Sequence, residues 1–139
     1  MTIKEVRAIV KSYRELKADI VDIEIKIKEK EEECIGITAS PQGERTSPTY
    51  KINSSVEQQA EKHTEEVDKL LHYKFIKEMQ LKRIDNALSI LDDIHKEVVE
   101  SVLIQSKRYS YIQEKLHLTY QRVKQIECEA LKEMQRYIR

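Results

Sequence analysis

The chain has 139 residues, of which 40% are hydrophobic and 36% charged, with two Gly, two Pro and no Trp. This balance is typical of long amphipathic helices, and it argues against sheets and against a single thick globular core. We therefore predict an all-α protein. The formal net charge is zero, so the average charge indicates neither a nucleic-acid partner nor its absence.

Apolar side chains recur every seven residues from the N-terminus, which predicts a long first helix with a coiled-coil seam. The seam consists of Val6, Tyr13, Ile20, Ile27 and Cys34 in one register and Ile9, Leu16 and Ile23 in the other. Residues 21–28 also alternate with period two, as a strand would, but the helical periodicity before them favours a helix. Gly36 is predicted to end this helix.

Residues 36–54 are predicted to form a mobile loop, because they contain both prolines, the two glycines and many Ser and Thr residues. A connection of this length is typical of a disordered or a recognition segment. Ser54 or Ser55 is predicted to cap a second helix, and Gln58 follows Ser55 at the spacing of a capping box.

The second long helix is predicted to carry a seam that is interrupted at Lys74 and Lys77. The seam consists of Ala60, His63, Val67, Leu70, Leu81, Ile84, Leu88 and Leu91. Residues 1–91 are thus predicted to form a helical hairpin or coiled coil. Pairing within one chain and pairing between copies both remain open, and the coiled coil predicts a homo-oligomer.

Residues 92–139 are predicted to form a separate domain. Asp92 or Asp93 caps a third helix, whose apolar positions are Ile94, Val98, Val99, Val102 and Leu103. A short helix ending near Lys115, a turn over residues 116–118 and a helix entered through Thr119 then match a DNA-binding helix-turn-helix. Residues 105–139 hold eight Lys or Arg against four Glu, an excess of positive charge that fits this interpretation.

The last helix is predicted to bury one face and expose the other. At 100° per residue from Val123, the inward positions are Ile126, Ala130, Met134 and Tyr137, and the outward ones are Gln121, Gln125, Lys132 and Arg136. The two Gln side chains suit adenine edges. Lys124 and Arg122 flank the free face and suit phosphates, and Lys124 also suits guanine. Predicted phosphate contacts also come from Lys107, Arg108 and the helix N-terminus capped by Thr119, and Lys132 is predicted to face the DNA.

The segment Arg122-Val-Lys-Gln-Ile-Glu-Cys-Glu-Ala-Leu-Lys resembles the promoter-recognition helix of domain 4 in bacterial sigma factors. This resemblance implies that Tyr120, Gln121, Lys124 and Gln125 contact bases, and that RNA polymerase is a possible partner. Tyr120-Gln121 replaces the Arg-Glu of that family, which implies a different base preference. Residues 1–91 contain no segment like the one with which sigma factors open the −10 region. The whole layout resembles phage and prophage late-gene transcription regulators of the RinA/ArpU type.

These features predict a sequence-specific DNA-binding transcription regulator, an activator of phage or prophage genes that binds double-stranded DNA. The alternatives are an interaction protein that binds polymerase or sigma factor and, less favoured, a small terminase subunit. No catalytic residues, metal site or cofactor are predicted, since the His and Cys residues lack ligand spacing. We predict no membrane segment and no signal peptide, and a location in the cytoplasm of a bacterial host, at the nucleoid.

Overall fold

The computed structural model describes the backbone of residues 1–38 and 50–139 and the side chains of residues 1–33 and 57–139. Every regular element in these ranges is a helix, so the all-α prediction is confirmed for them. The elements are α1 (Ile3–Lys11), α2 (Tyr13–Thr38), α3 (Tyr50–Ser89), α4 (Asp93–Val99), a π-helical turn (Glu100–Ile104), α5 (Tyr109–Leu116) and α6 (Tyr120–Met134). Over the same ranges, no helix combines the length and apolar character needed to cross a bilayer.

The predicted first helix is interrupted at Ser12, which separates α1 from α2. Thr2 caps α1 in a capping box with Glu5, whose pKa is lowered by the hydrogen bonds it shares with Thr2. At the other end, the Ser12 hydroxyl donates to the Ile9 carbonyl at 2.6 Å. A Ser side chain that bonds back to the preceding turn competes with the helical ladder and bends the chain. The seven-residue seam is therefore not carried by one continuous helix.

Helical backbone extends into both ends of the predicted loop of residues 36–54. Helix α2 continues through Gly36 to Thr38, and α3 begins at Tyr50, before the predicted Ser54 and Ser55 caps. Gly costs about 1 kcal/mol and Ser less within a helix, so neither residue is sufficient to stop one. The remaining residues 39–49, which contain both prolines, lie outside the described part of the chain, as does the Cys34 side chain.

The first compact unit consists of residues 1–18 and 78–139. Its core takes residues from α1, the end of α3, α4, the π-helical turn, α5 and α6. The fully buried ones are Val6, Val10, Ile84, Ala87, Val98, Val99, Ile112, Val123, Ala130, Leu131 and Met134. This unit differs from the predicted division between residues 91 and 92, because α1 packs on α6 and on the π-helical turn. Apolar side chains distant in sequence thus complete one core with α4–α6.

Helix α4 buries Val98 and Val99 as predicted, but Ile94 is 54% exposed. The inward position of the first turn is taken by His95, whose Nε2 lies 3.3 Å from Glu129 Oε2 of α6. Asp92 occupies the predicted N-cap position without donating or accepting a side-chain capping bond. Helix α4 therefore presents an exposed apolar residue beside two exposed acidic residues, Asp92 and Asp93.

The second compact unit, residues 19–77, contains parts of α2 and α3 that are joined by ion pairs. Lys77 Nζ lies 3.1 Å from Asp19 Oδ2, and Lys74 Nζ lies 3.1 Å from Glu24 Oε1. A third pair joins Lys30 to Glu66. The residue numbers of the partners increase along α2 while they decrease along α3, so these two segments run antiparallel. The two Lys residues that interrupt the predicted seam of α3 are thus salt-bridge positions.

Candidate nucleic-acid interface

A three-residue turn joins α5 to α6. Its first residue, His117, has φ 54° and ψ 44° in the left-handed region, and the Leu118 amide donates to the Gln113 carbonyl at 3.1 Å. The Thr119 hydroxyl then accepts a hydrogen bond from the Arg122 amide at 3.3 Å, so the predicted N-cap is confirmed. This turn fixes the direction in which α6 leaves α5.

Replacing His117 with Gly is expected to stabilise the fold by about 0.5 to 1 kcal/mol. A non-Gly residue in the left-handed region costs about 1 to 2 kcal/mol, part of which is offset by the greater freedom of Gly in the unfolded chain. The His117 side chain is exposed, so little packing is lost. Urea denaturation checks this expectation, with His117→Ala as the control that keeps the strain. Equal stability of the two variants would contradict the left-handed turn.

The buried face of α6 contains the predicted inward residues Val123, Ile126, Ala130 and Met134. Tyr137, the fifth predicted inward residue, is 43% exposed instead. The cause is that α6 ends at Met134, so the helical angle no longer applies beyond it, and Leu131 and Ile138 fill the core there. The helix consequently has one fully packed face.

The opposite face of α6 is exposed at Gln121, Arg122 and Gln125 in its first half. The Arg122 Nη1 donates to Gln125 Oε1 at 3.4 Å and lies 3.9 Å from Glu129 Oε1. These three polar side chains directly follow the capped N-terminus, where the helix dipole and free amides favour anions. The structure therefore brings the predicted base-contacting glutamines together.

Lys132 lies apart from this group. It is eleven positions after Gln121, which corresponds to about 16 Å along a helix. Together with Arg136 it lines two shallow grooves, one with Gln135 and the other with Ile90. Lys132 therefore lies about three turns further along α6 than Gln121.

Lys107 and Arg108 are exposed and directly precede α5. Lys107 Nζ lies 4.1 Å from the centre of the Tyr111 ring, a cation–π contact. Arg108 occupies the N-cap position of α5 but forms no side-chain capping bond. Both cations therefore remain at the surface beside the first turn of α5.

Lys124 is half-buried and has a specific partner, Tyr109 of α5. Its Nζ donates to the Tyr109 hydroxyl at 2.9 Å, and this hydrogen bond raises the pKa of Lys124. The exposed Tyr120 ring meets the Tyr109 ring edge to face, with centres 5.4 Å apart. Two aromatic rings and one ammonium group are thus gathered at the start of α6.

The Tyr109 hydroxyl in turn donates to Glu127 Oε2 at 2.9 Å. Glu127 is fully buried, and its Oε1 lies 2.9 Å from Nη2 of Arg7 in α1, off the axis of a good hydrogen bond. Sequence reasoning missed Tyr109, Glu127 and Arg7. One signal was present, because Glu127 lies about 40° from Val123 around the helix and so falls on the inward face.

Comparisons with protein-family models, with curated proteins and with solved structures found no match for this chain. In the described part of the chain, no group of three or more His, Cys, Asp or Glu side chains is placed to hold a metal ion. The functional proposal therefore depends on the geometry of α5 and α6 and on their sequence.

Proposed function

We propose that this protein binds double-stranded DNA through a helix-turn-helix formed by α5 and α6. The observation that carries the proposal is the two-faced character of α6. One face is packed into the core, while Gln121, Arg122 and Gln125 are exposed directly after an N-terminus capped by Thr119. A helix in the major groove needs a rigid buried face and a polar face free to reach bases and phosphates.

The exposed side chains have suitable chemistry for both kinds of contact. Gln121 and Gln125 can form paired hydrogen bonds with an adenine edge, which carries sequence information. Arg122 and Lys124 supply positive charge for phosphates or for guanine. Lys107 and Arg108 lie before α5 and suit the phosphate backbone, as does Lys132 near the other end of α6. Tyr120 completes the set as an exposed aromatic residue.

We propose further that the DNA-binding activity serves transcription regulation, as an activator of phage or prophage genes in a bacterial cytoplasm. Support comes from the similarity of residues 122–132 to the sigma-factor motif. The α2–α3 hairpins of several copies would associate into a homo-oligomer. The exposed Tyr73 and Phe75 of this hairpin are candidate contacts between copies. RNA polymerase is the proposed second partner.

Two substitutions test the DNA interface. Gln125→Ala is expected to weaken binding to one preferred sequence by about tenfold, because a paired base contact is worth about 1 to 3 kcal/mol. Lys124→Ala is expected to weaken all sequences alike and to lower the salt slope by about 1. Duplexes selected from a random pool, with fluorescence anisotropy at several salt concentrations, measure both effects.

Lys82→Ala is the matched control, since Lys82 is an exposed cation on α3. It should leave both the affinity and the salt slope close to those of the unchanged protein. The proposal fails if Lys124→Ala and Gln125→Ala bind selected and random duplexes as the control does.

A second function is favoured by the surface of α4. Ile94 is exposed beside Asp92 and Asp93, and an exposed apolar side chain next to acidic ones suits a contact with a protein partner. In this alternative, α4–α6 bind polymerase or a sigma factor, and DNA contact is incidental. Recovery of purified polymerase with the protein after DNase treatment, with no shift of any duplex, would decide for it.

A further inference from the structure

We propose that Tyr109 is a positioning residue that holds the Lys124 ammonium at the DNA-binding face of α6, with buried Glu127 and Arg7 of α1 fixing Tyr109 in place. The inference rests on the proposed DNA-binding function. It adds three residues, none of them on the exposed face of α6, to the machinery that would contact DNA.

The direction of the hydrogen bonds follows from the chemistry of the groups. An ionised carboxylate can only accept, so the single Tyr109 hydroxyl hydrogen is directed to Glu127 Oε2 at 2.9 Å. The lone pairs of the same oxygen then face Lys124, whose Nζ donates at 2.9 Å. An ammonium group has three hydrogens, so two remain for a phosphate or a guanine edge. Tyr109 therefore orients Lys124 without using up its donors.

The aromatic rings further restrict the Lys124 side chain. Its Nζ lies 4.3 Å from the centre of the Tyr109 ring and 5.8 Å from that of Tyr120. A lysine that is free to move loses side-chain rotamer freedom when it is immobilised at an interface. Because Lys124 is already confined in the free protein, less of this entropy remains to be lost on binding.

Glu127 is held from its other side by α1. The Arg7 guanidinium lies 2.9 Å from Glu127 Oε1, and the Glu127 side chain is fully buried. A buried carboxylate needs such a cation, and its position then sets the direction of the Tyr109 hydroxyl. In this way a residue in the first helix of the chain influences a lysine on the last one.

Tyr109→Phe tests the inference because it removes only the hydroxyl and keeps the ring. We expect about threefold to tenfold weaker binding to a selected duplex, because Lys124 regains rotamer freedom in this variant and must lose it again on binding. We expect no further loss when Tyr109→Phe is added to Lys124→Ala. Tyr111→Phe is the matched control on the same helix, since it removes a tyrosine hydroxyl and keeps the ring that contacts Lys107. Circular dichroism establishes that all variants fold.

A second measurement needs no DNA. NMR titration of the Lys124 side chain should give a raised pKa in the unchanged protein and in Tyr111→Phe, and a lower pKa in Tyr109→Phe, because the hydrogen bond that raises it is gone. A purely structural role for Tyr109 would not produce this specific change.

Three results would overturn the inference. The first is an additive loss in the double variant, and the second is an unchanged Lys124 pKa in Tyr109→Phe. The third is tighter binding by Tyr109→Phe that depends on Lys124, which would mean that Tyr109 withholds Lys124 from DNA. If the unchanged protein binds no duplex, the proposed function itself fails. Binding by the unchanged protein with an additive double variant would refute only the positioning role.

Discussion

Replacing Arg7 with Met is expected to lower the free energy of unfolding by about 2 to 4 kcal/mol. Met keeps most of the aliphatic stem but removes the cation from beside Glu127, whose carboxylate is fully buried. Breaking a buried ion pair on one side costs about 3 to 5 kcal/mol, and the estimate is reduced because Arg7 itself is 37% exposed. Urea denaturation followed by far-ultraviolet circular dichroism measures the change.

Lys4→Met is the matched control for this substitution, because Lys4 is an exposed cation on the same helix. It should change stability by less than about 0.5 kcal/mol. Adding Glu127→Leu to Arg7→Met should recover part of the loss, since it removes the unpaired charge from the core. Equal stability of Arg7→Met and Lys4→Met would show that the ion pair does not hold α1 on α6.

A fragment of residues 92–139 is expected not to fold by itself. The core around α6 also needs Val6 and Val10 of α1 and Ile84, Ala87 and Leu88 of α3. Without them the fragment leaves apolar side chains of α4 and α6 exposed, and fewer than 50 residues bury too little surface to compensate. Thermal melting by circular dichroism should be cooperative for the whole chain and broad for the fragment.

A fragment that melts as cooperatively as the whole chain, with the dispersed amide resonances of a folded protein, would show that α1 and α3 are dispensable. The division between residues 91 and 92 would then describe an independent domain after all. Val10→Ala in the whole chain tests the contribution of α1 to this core with a smaller change, because Val10 is fully buried in it.

Local pattern was sufficient to predict much of α6. The 100° rotation per residue separates Val123 and Ile126 from Gln121 and Gln125, and a Thr before a helix is a strong capping signal. Both properties depend only on neighbours within one helix, and the structure agrees with them. The break at Ser12 was not predictable in this way, because a Ser hydroxyl can donate either to its own helix or to solvent.

The network around Lys124 could not be predicted, because it joins residues far apart in the chain. Arg7 and Glu127 are 120 positions apart, and no local period relates them. The inward angle of Glu127 indicates only that a buried carboxylate needs a partner, and the chain offers 25 Lys and Arg residues. Only the packing of α1 on α6 selects Arg7 among them.

The ion pairs between α2 and α3 affect the register in which the two helices pair. Apolar seams with a seven-residue repeat match almost as well when one helix slides by a whole repeat. Here such a slip would place Lys26 opposite Lys77 in one direction and Lys17 opposite Lys74 in the other, in place of Asp19 and Glu24. The repulsion disfavours both misaligned arrangements, so the two charged positions that weaken the seam favour the observed alignment.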